Sequence, residues 1–299
     1  MTEYLIGMHE CYDHVKFKRD YIASEFTGIE LCNFTDMTEI KKIIDLKNQM
    51  NFKIGIHFPL YKPNYKFRDP LLMSLDKKEQ EMAKKALVKE LDFAKTIDAE
   101  YLLIHFPKPM VIDKRLKWEL CRFSSEMETV DEEDYPYEVF RDNARRLFDD
   151  LSNLSTEYGI QIVLEIEMLN KYLYEGTLME ELLTDYPKIK ICLDSARLHV
   201  LSQIDAEFDY MKFVKNMAKY TYLIHLSNIR VRDKIENGHY PVLKKLSNEP
   251  GWCDIDEFLL TVSEENTDLK ILYEHRSDLI TDQELEECYG WVKSYFESV

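Results

Sequence analysis

Seven apolar runs in this sequence close on a histidine or a carboxylate. The first reaches His9. The third reads Ile54-Gly-Ile56-His57-Phe-Pro, and the fourth repeats that ending as Leu103-Ile104-His105-Phe-Pro. The fifth is Ile162-Val-Leu-Glu165-Ile-Glu167, the sixth closes on Asp194, the seventh on His225 and the eighth on Glu274-His275. A charge at the end of an apolar strand is expensive to bury alone. Imidazoles and carboxylates that converge are stabilised by a divalent cation between them, and mixed nitrogen and oxygen ligands accept Zn²⁺, Mn²⁺, Co²⁺, Fe²⁺ or Mg²⁺ without choosing among them. Alternation along a strand sorts the neighbours. Glu165 and Glu167 share a face, so both can point inward, whereas His275 follows Glu274 onto the opposite face and reads as structural.

Something must bring these endings together. The apolar runs are candidate strands: Tyr4–Met8, Gly28–Phe34, Phe52–Phe58, Glu100–Phe106, Ile160–Met168, Ile189–Asp194, Tyr222–Asn228 and Leu269–His275. Their near-continuous hydrophobicity suits a parallel sheet covered on both faces. Between them lie amphipathic segments of helix length at Thr38–Met50, Asp76–Ile97, Tyr137–Tyr158, Leu178–Tyr186, Phe208–Lys219, Ile255–Glu265 and Asp282–Phe296, with a weaker one near Phe17–Phe26. Thr281 and Glu284 have capping-box spacing. Eight strand–helix units in series predict an α/β chain forming a single (β/α)8 TIM barrel over residues 1–299, in preference to an open doubly wound sheet. In such a barrel every strand's C-terminal end meets the others at one face. Two long connections leave that face, 59–75 after the third strand and 107–136 after the fourth. The acidic stretch 126–134 within the second reads as a solvated loop.

Composition excludes other classes. With 39 Lys+Arg against 56 Asp+Glu the net charge is −17, which opposes nucleic-acid backbones and anionic membranes. No run approaches about 18 apolar residues, so no membrane span is expected, and no secretory signal opens the chain. The six cysteines form no CxxC pair and, with Cys32 and Cys192 inside apolar runs, predict a reduced, cytoplasmic protein. Glycine is scarce, at 8 residues, and neither a P-loop nor a dinucleotide fingerprint occurs.

On its strand endings the chain resembles, over nearly its whole length, the xylose isomerase-like barrel superfamily. That group holds sugar isomerases, keto-sugar epimerases and the endonuclease IV family. The resemblance implies one divalent metal held by Glu165, Asp194, His225 and Glu274. It implies a sugar or sugar-phosphate isomerase or epimerase in which the metal stabilises an enediolate while Glu165 and Glu274 exchange the proton. His9, Glu167, Lys108, Arg197, Arg230 and His239 are then the expected substrate contacts. The endonuclease branch implies an additional ion on His57 and His105, shared with Glu165, and with it the alternative of a two-metal phosphoesterase or AP endonuclease-like hydrolase. Two departures weigh against that branch's third metal. Its Asp-x-x-His is Asp194 with Arg197 here, His199 being out of register, and its Asp-x-His is Asn237-Gly238-His239. The expected partner is a small sugar, with no nucleic acid and no membrane; a homodimer is compatible with such a barrel.

Overall fold

The apolar runs form eight strands in which almost every residue is buried: β1 (Glu3–His9), β2 (Gly28–Phe34), β3 (Lys53–Tyr61), β4 (Tyr101–Phe106), β5 (Gln161–Ile166), β6 (Lys190–Asp194), β7 (Thr221–Leu226) and β8 (Lys270–Tyr273). In the computed structural model, which describes residues 2–24, 26–65, 67–116, 118–121, 125–166 and 168–297, they close a barrel in the order β1-β8-β7-β6-β5-β4-β3-β2. Within it β1 runs parallel to β8, β8 to β7, β3 to β4 and β4 to β5. The helices are α1 (Met37–Met50), α2 (Lys77–Thr96), α3 (Tyr137–Tyr158), α4 (Leu178–Asp185), α5 (Ser195–Ile204), α6 (Tyr210–Ala218), α7 (Ile255–Glu265) and α8 (Asp282–Phe296). The architecture is the (β/α)8 barrel that the sequence predicts.

Local chemistry fixes the helix ends. Side chains of Asp36, Asp76, Asp194, Asp209 and Asp254 accept from the first free backbone N–H groups of α1, α2, α5, α6 and α7. Thr281 and Glu284 form the reciprocal capping box at α8. Gly159 ends α3 in the left-handed conformation, at φ 69°.

The chain divides into two compact units: residues 8–12 with 30–191, and residues 1–7 with 13–29 and 192–299. In the first, register builds the interior in layers. Gly55 lies opposite Tyr101, and Tyr101 opposite Gln161. His57 lies opposite Leu103, and Leu103 opposite Val163; above them His105 lies opposite Glu165. The lowest layer depends on Gly55, because a Cβ there would sit 2.1 Å from the Tyr101 ring. Tyr101 crosses that gap and donates to the buried Glu30 carboxylate at 2.8 Å. In the second unit Leu5, Leu272 and His225 share one level, above the Lys270–Glu3 ion pair at 2.8 Å. Tyr4, Phe26 and Tyr273 stack on the outer side, and Tyr289 meets Phe26 and Tyr273 edge-on.

Several elements differ from expectation. β8 stops at Tyr273, leaving Glu274 and His275 just beyond it. The weak helical segment is an α-turn, His14–Lys16, running into a π-helix, Phe17–Ile22. The connection after β4 carries a small two-stranded parallel sheet, Met110–Ile112 with Thr129–Asp131. Its acidic stretch is more than a solvated loop: Glu128 is buried, and Glu132 binds Asn170 and Lys171 at 2.9 Å each. Beyond β7, an antiparallel hairpin of Asn228–Val231 and Ile235–Tyr240 stands where the sequence reads as loop. Among the described residues no helix is long and apolar enough to cross a membrane.

Candidate metal centre

β3, β4 and β5 bring His57, His105 and Glu165 together. The register that sets His105 opposite Glu165 turns both inward, and His57 shares that face one layer lower. Glu165 Oε2 lies 3.1 Å from His57 Nε2 and 3.2 Å from His105 Nε2, and the three groups each offer a ligand atom within 4.8 Å of the others. Glu165 is 0% exposed, and His57 and His105 are 4% and 2% exposed, so little solvent screens them.

The remaining ring nitrogens are engaged on the far side. His57 Nδ1 donates to the Phe58 carbonyl at 2.9 Å, and His105 Nδ1 donates to Asp69 Oδ1. Each ring is thereby oriented with Nε2 toward Glu165. A metal-binding imidazole requires this arrangement, with its other N–H held by a carbonyl or carboxylate. The donor set, two imidazoles and one carboxylate, fits Zn²⁺ or a similar divalent ion. Burial alone would lower the pKa of His57, but Cys32 and Glu165 hold it well above the usual value. Burial would likewise raise that of Asp69, yet His105, Lys108 and Arg68 hold it well below the carboxylate range.

Asp69 and Arg68 carry no strand-end signal and escape a sequence reading. They lie in the connection after β3, where the aspartate preceding Pro70 looks like an ordinary turn residue. Arg68 reaches within 3.4 Å of His105 Nε2. Lys108, expected among the substrate contacts, is 3% exposed and pairs with Asp69 Oδ2 at 2.9 Å. His9 is exposed, its Nε2 3.2 Å from Asn33. Glu167 lies outside the described residues.

The other unit holds Asp194, His225 and Glu274. His225 is fully buried, with Nδ1 3.4 Å from Glu274 Oε2, and the Glu274 side chain keeps 32% exposure. Asp194 ends β6 and begins α5. Its Oδ1 accepts from Ala196 N and Arg197 N at 2.8 and 3.0 Å, and Arg197 Nε approaches Oδ2 at 3.1 Å. The helix start and the guanidinium both favour the ionised carboxylate. Arg197 thus brings a cation to the place where a further metal would need a histidine. His199 turns away to the Gly251 carbonyl at 3.2 Å.

The hairpin reaches Glu274 through its backbone: His239 Nδ1 donates to the Glu274 carbonyl at 3.1 Å, and His239 O accepts from Arg276 N at 2.8 Å. Arg230, on the same hairpin, is half-buried, 3.7 Å from Glu236. His275 packs outward on Tyr289, with 3.3 Å between Nε2 and the hydroxyl, as strand alternation predicts.

No protein-family model matches the chain, and no curated protein sequence matches it significantly. Solved structures do. A D-tagatose 3-epimerase-like protein is 15% identical with TM-score 0.60, covering 98% of each chain. The IOLI protein with a bound zinc atom is 12% identical with TM-score 0.62, covering 99% of this chain and 100% of its own. The 3-keto-D-glucoside 4-epimerase YcjR from E. coli is 11% identical with TM-score 0.61, covering 98% and 100%. At these identities the likeness shows the fold alone: the chain shares the TIM-barrel fold of these solved proteins, a sugar epimerase and an epimerase-like protein among them.

Proposed function

We propose that this protein is a divalent-metal-dependent isomerase or epimerase of a sugar or sugar phosphate, built as one barrel domain over residues 1–299. The observation that carries the reading is a pair of carboxylates, Glu165 and Glu274, each at or just past the end of a barrel strand and each within ion-pair distance of an imidazole. That is the pairing acid–base work at carbon requires: one carboxylate takes a proton and the other returns one. Glu165, Asp194, His225 and Glu274 would hold the ion. When bound it would polarise the carbonyl oxygen next to the carbon that loses its proton.

The chain's own groups do the rest. Glu274, partly exposed, is accessible to substrate, while the buried Glu165 is held by His57 and His105. His9 and His239 are exposed and Arg230 is half-buried; these three and Glu167 serve as substrate contacts. Lys108 and Arg197 act through the carboxylates they pair with, Asp69 and Asp194. Epimerases among the solved neighbours support a sugar as substrate. None of the six cysteines, all of them among the described residues, is joined in a disulfide, which supports cytoplasmic residence.

The test is solvent exchange. Protein loaded with Mn²⁺ or Zn²⁺ is incubated in D₂O with ketohexoses and their phosphates, and deuterium next to the carbonyl is followed by NMR. Exchange is expected in wild type and lost in Glu165→Gln and Glu274→Gln, both of which should still fold. Wild-type exchange rates in either variant would remove that residue's acid–base role.

One observation favours a second reading. The His57–His105–Glu165 group offers a second ion site, and paired metals clamp both oxygens of a phosphodiester. A two-metal hydrolase is distinguished by cleavage of abasic-site duplex at low salt, which the isomerase reading does not produce.

A further inference from the structure

We propose that Asp69 is a positioning residue for the metal-binding imidazole of His105, held in that role by the buried Lys108. This rests on the reading that His57, His105 and Glu165 bind a divalent ion. Asp69 reaches His105 from the side opposite Glu165: its Oδ1 accepts from Nδ1, while Nε2 faces Glu165 Oε2 at 3.2 Å. The carboxylate therefore fixes the ring plane and the tautomer and makes Nε2 more electron-rich, as second partners of metal-bound histidines do. Lys108 Nζ lies 2.9 Å from Asp69 Oδ2. With Asp69 at 2% and Lys108 at 3% exposure, the pair is buried, and neither charge could stand there alone.

The two loops that carry the pair are tied together. Met73 N donates to the Lys108 carbonyl at 2.8 Å, and Tyr135 Oη donates to the Met73 carbonyl at 2.8 Å. Asn143 Nδ2 in turn donates to Tyr135 Oη at 2.6 Å. Asp69 is thus fixed from two directions before any ion arrives. A merely structural ion pair would influence folding; a positioning pair also sets how His105 binds an ion.

The experiment titrates Zn²⁺ and Co²⁺ into the metal-free full-length chain and records calorimetric affinity and the visible spectrum of bound Co²⁺. His57→Ala/His105→Ala identifies which binding event belongs to this cluster. In Asp69→Asn that event should weaken by about 10–100-fold, the Co²⁺ bands should shift, and Asp69→Glu should recover part of both. Lys108→Met should weaken it in the same direction. Unchanged affinity and bands in Asp69→Asn overturn the positioning role while leaving the ion site standing. If His57→Ala/His105→Ala loses no ion relative to wild type, the site and the inference both fall. Should Asp69→Asn not fold, ¹⁵N NMR of wild type with Zn²⁺ decides: the His105 proton is expected on Nδ1, and a proton on Nε2 overturns the proposal.

Discussion

Alanine at Gly55 probes the packing that sets the level of the His57–His105–Glu165 group. The new Cβ would lie 2.1 Å from Tyr101 Cζ and 2.4 Å from its hydroxyl oxygen. Ordinary carbon–carbon contact begins near about 3.5 Å, so the ring must retreat by roughly 1.4 Å. Tyr101 is fully buried, and its hydroxyl is fixed to Glu30 at 2.8 Å, so the retreat also breaks that hydrogen bond. Overpacking costs about 1–3 kcal/mol, and a lost hydrogen bond to a carboxylate about 1.5–3 kcal/mol. Gly55→Ala should therefore destabilise by about 2.5–6 kcal/mol. Urea unfolding of the metal-free protein, followed by far-ultraviolet circular dichroism, measures it. Tyr101→Phe should show the hydrogen-bond part alone. Gly55→Ala/Tyr101→Val, with the ring gone, should be less damaged than the sum of its single variants, with a coupling of about 1–3 kcal/mol. If Gly55→Ala stays within about 0.5 kcal/mol of wild type, the layered interior argued from Gly55, Tyr101 and Glu30 is wrong.

Three further expectations concern charge, capping and ligand linkage. Burial raises the Glu90 carboxyl above its ordinary 4.5, against the opposing hydrogen bonds from Tyr65 and Leu60 N. The stability it contributes is thus complete below pH 4.5 and lost as pH rises through the folded-state pKa. Glu90→Gln, whose amide can serve both partners, should raise the melting midpoint at pH 7 and lose that advantage near pH 4; a gain independent of pH would contradict the assignment. Thr281→Ala removes half of a capping box and should cost about 1 kcal/mol, read from the same urea curves, with no change in metal content. Zinc at 100 times its Kd should stabilise the fold by about 2.7 kcal/mol for each site it fills, reversed by chelator, and a smaller gain is expected in His57→Ala/His105→Ala.

The sequence carries the barrel because the information is local and repeated. Runs such as Leu102–Ile104 have no polar face, so they must be covered on both sides, and helix-length amphipathic segments follow them. The strand endings are legible for the same reason: a histidine such as His57 after Ile54-Gly-Ile has no apolar explanation. What escaped has physical causes too. α5 buries Leu198, His199, Val200 and Leu201 in succession and therefore shows no amphipathic stripe. The hairpin strand Ile235–Tyr240 is mostly polar and buries none of its residues, so it reads as loop. Lys108 looks like a free cation until its partner is known, and that partner, Asp69, lies 39 residues earlier in the chain. Periodicity finds a face; it does not find a long-range ion pair.

The central claim is that these strand endings hold divalent metal, and elemental analysis tests it most directly. The protein should be purified without chelators or an affinity-metal column, and compared with His57→Ala/His105→Ala. Two equivalents of divalent metal in wild type, falling to one in the double variant, are predicted, the ion that stays being the one the isomerase reading places on Glu165, Asp194, His225 and Glu274. One equivalent in both proteins would remove His57 and His105 as ligands. No metal in wild type, even after addition of Mn²⁺ or Zn²⁺, would contradict the account.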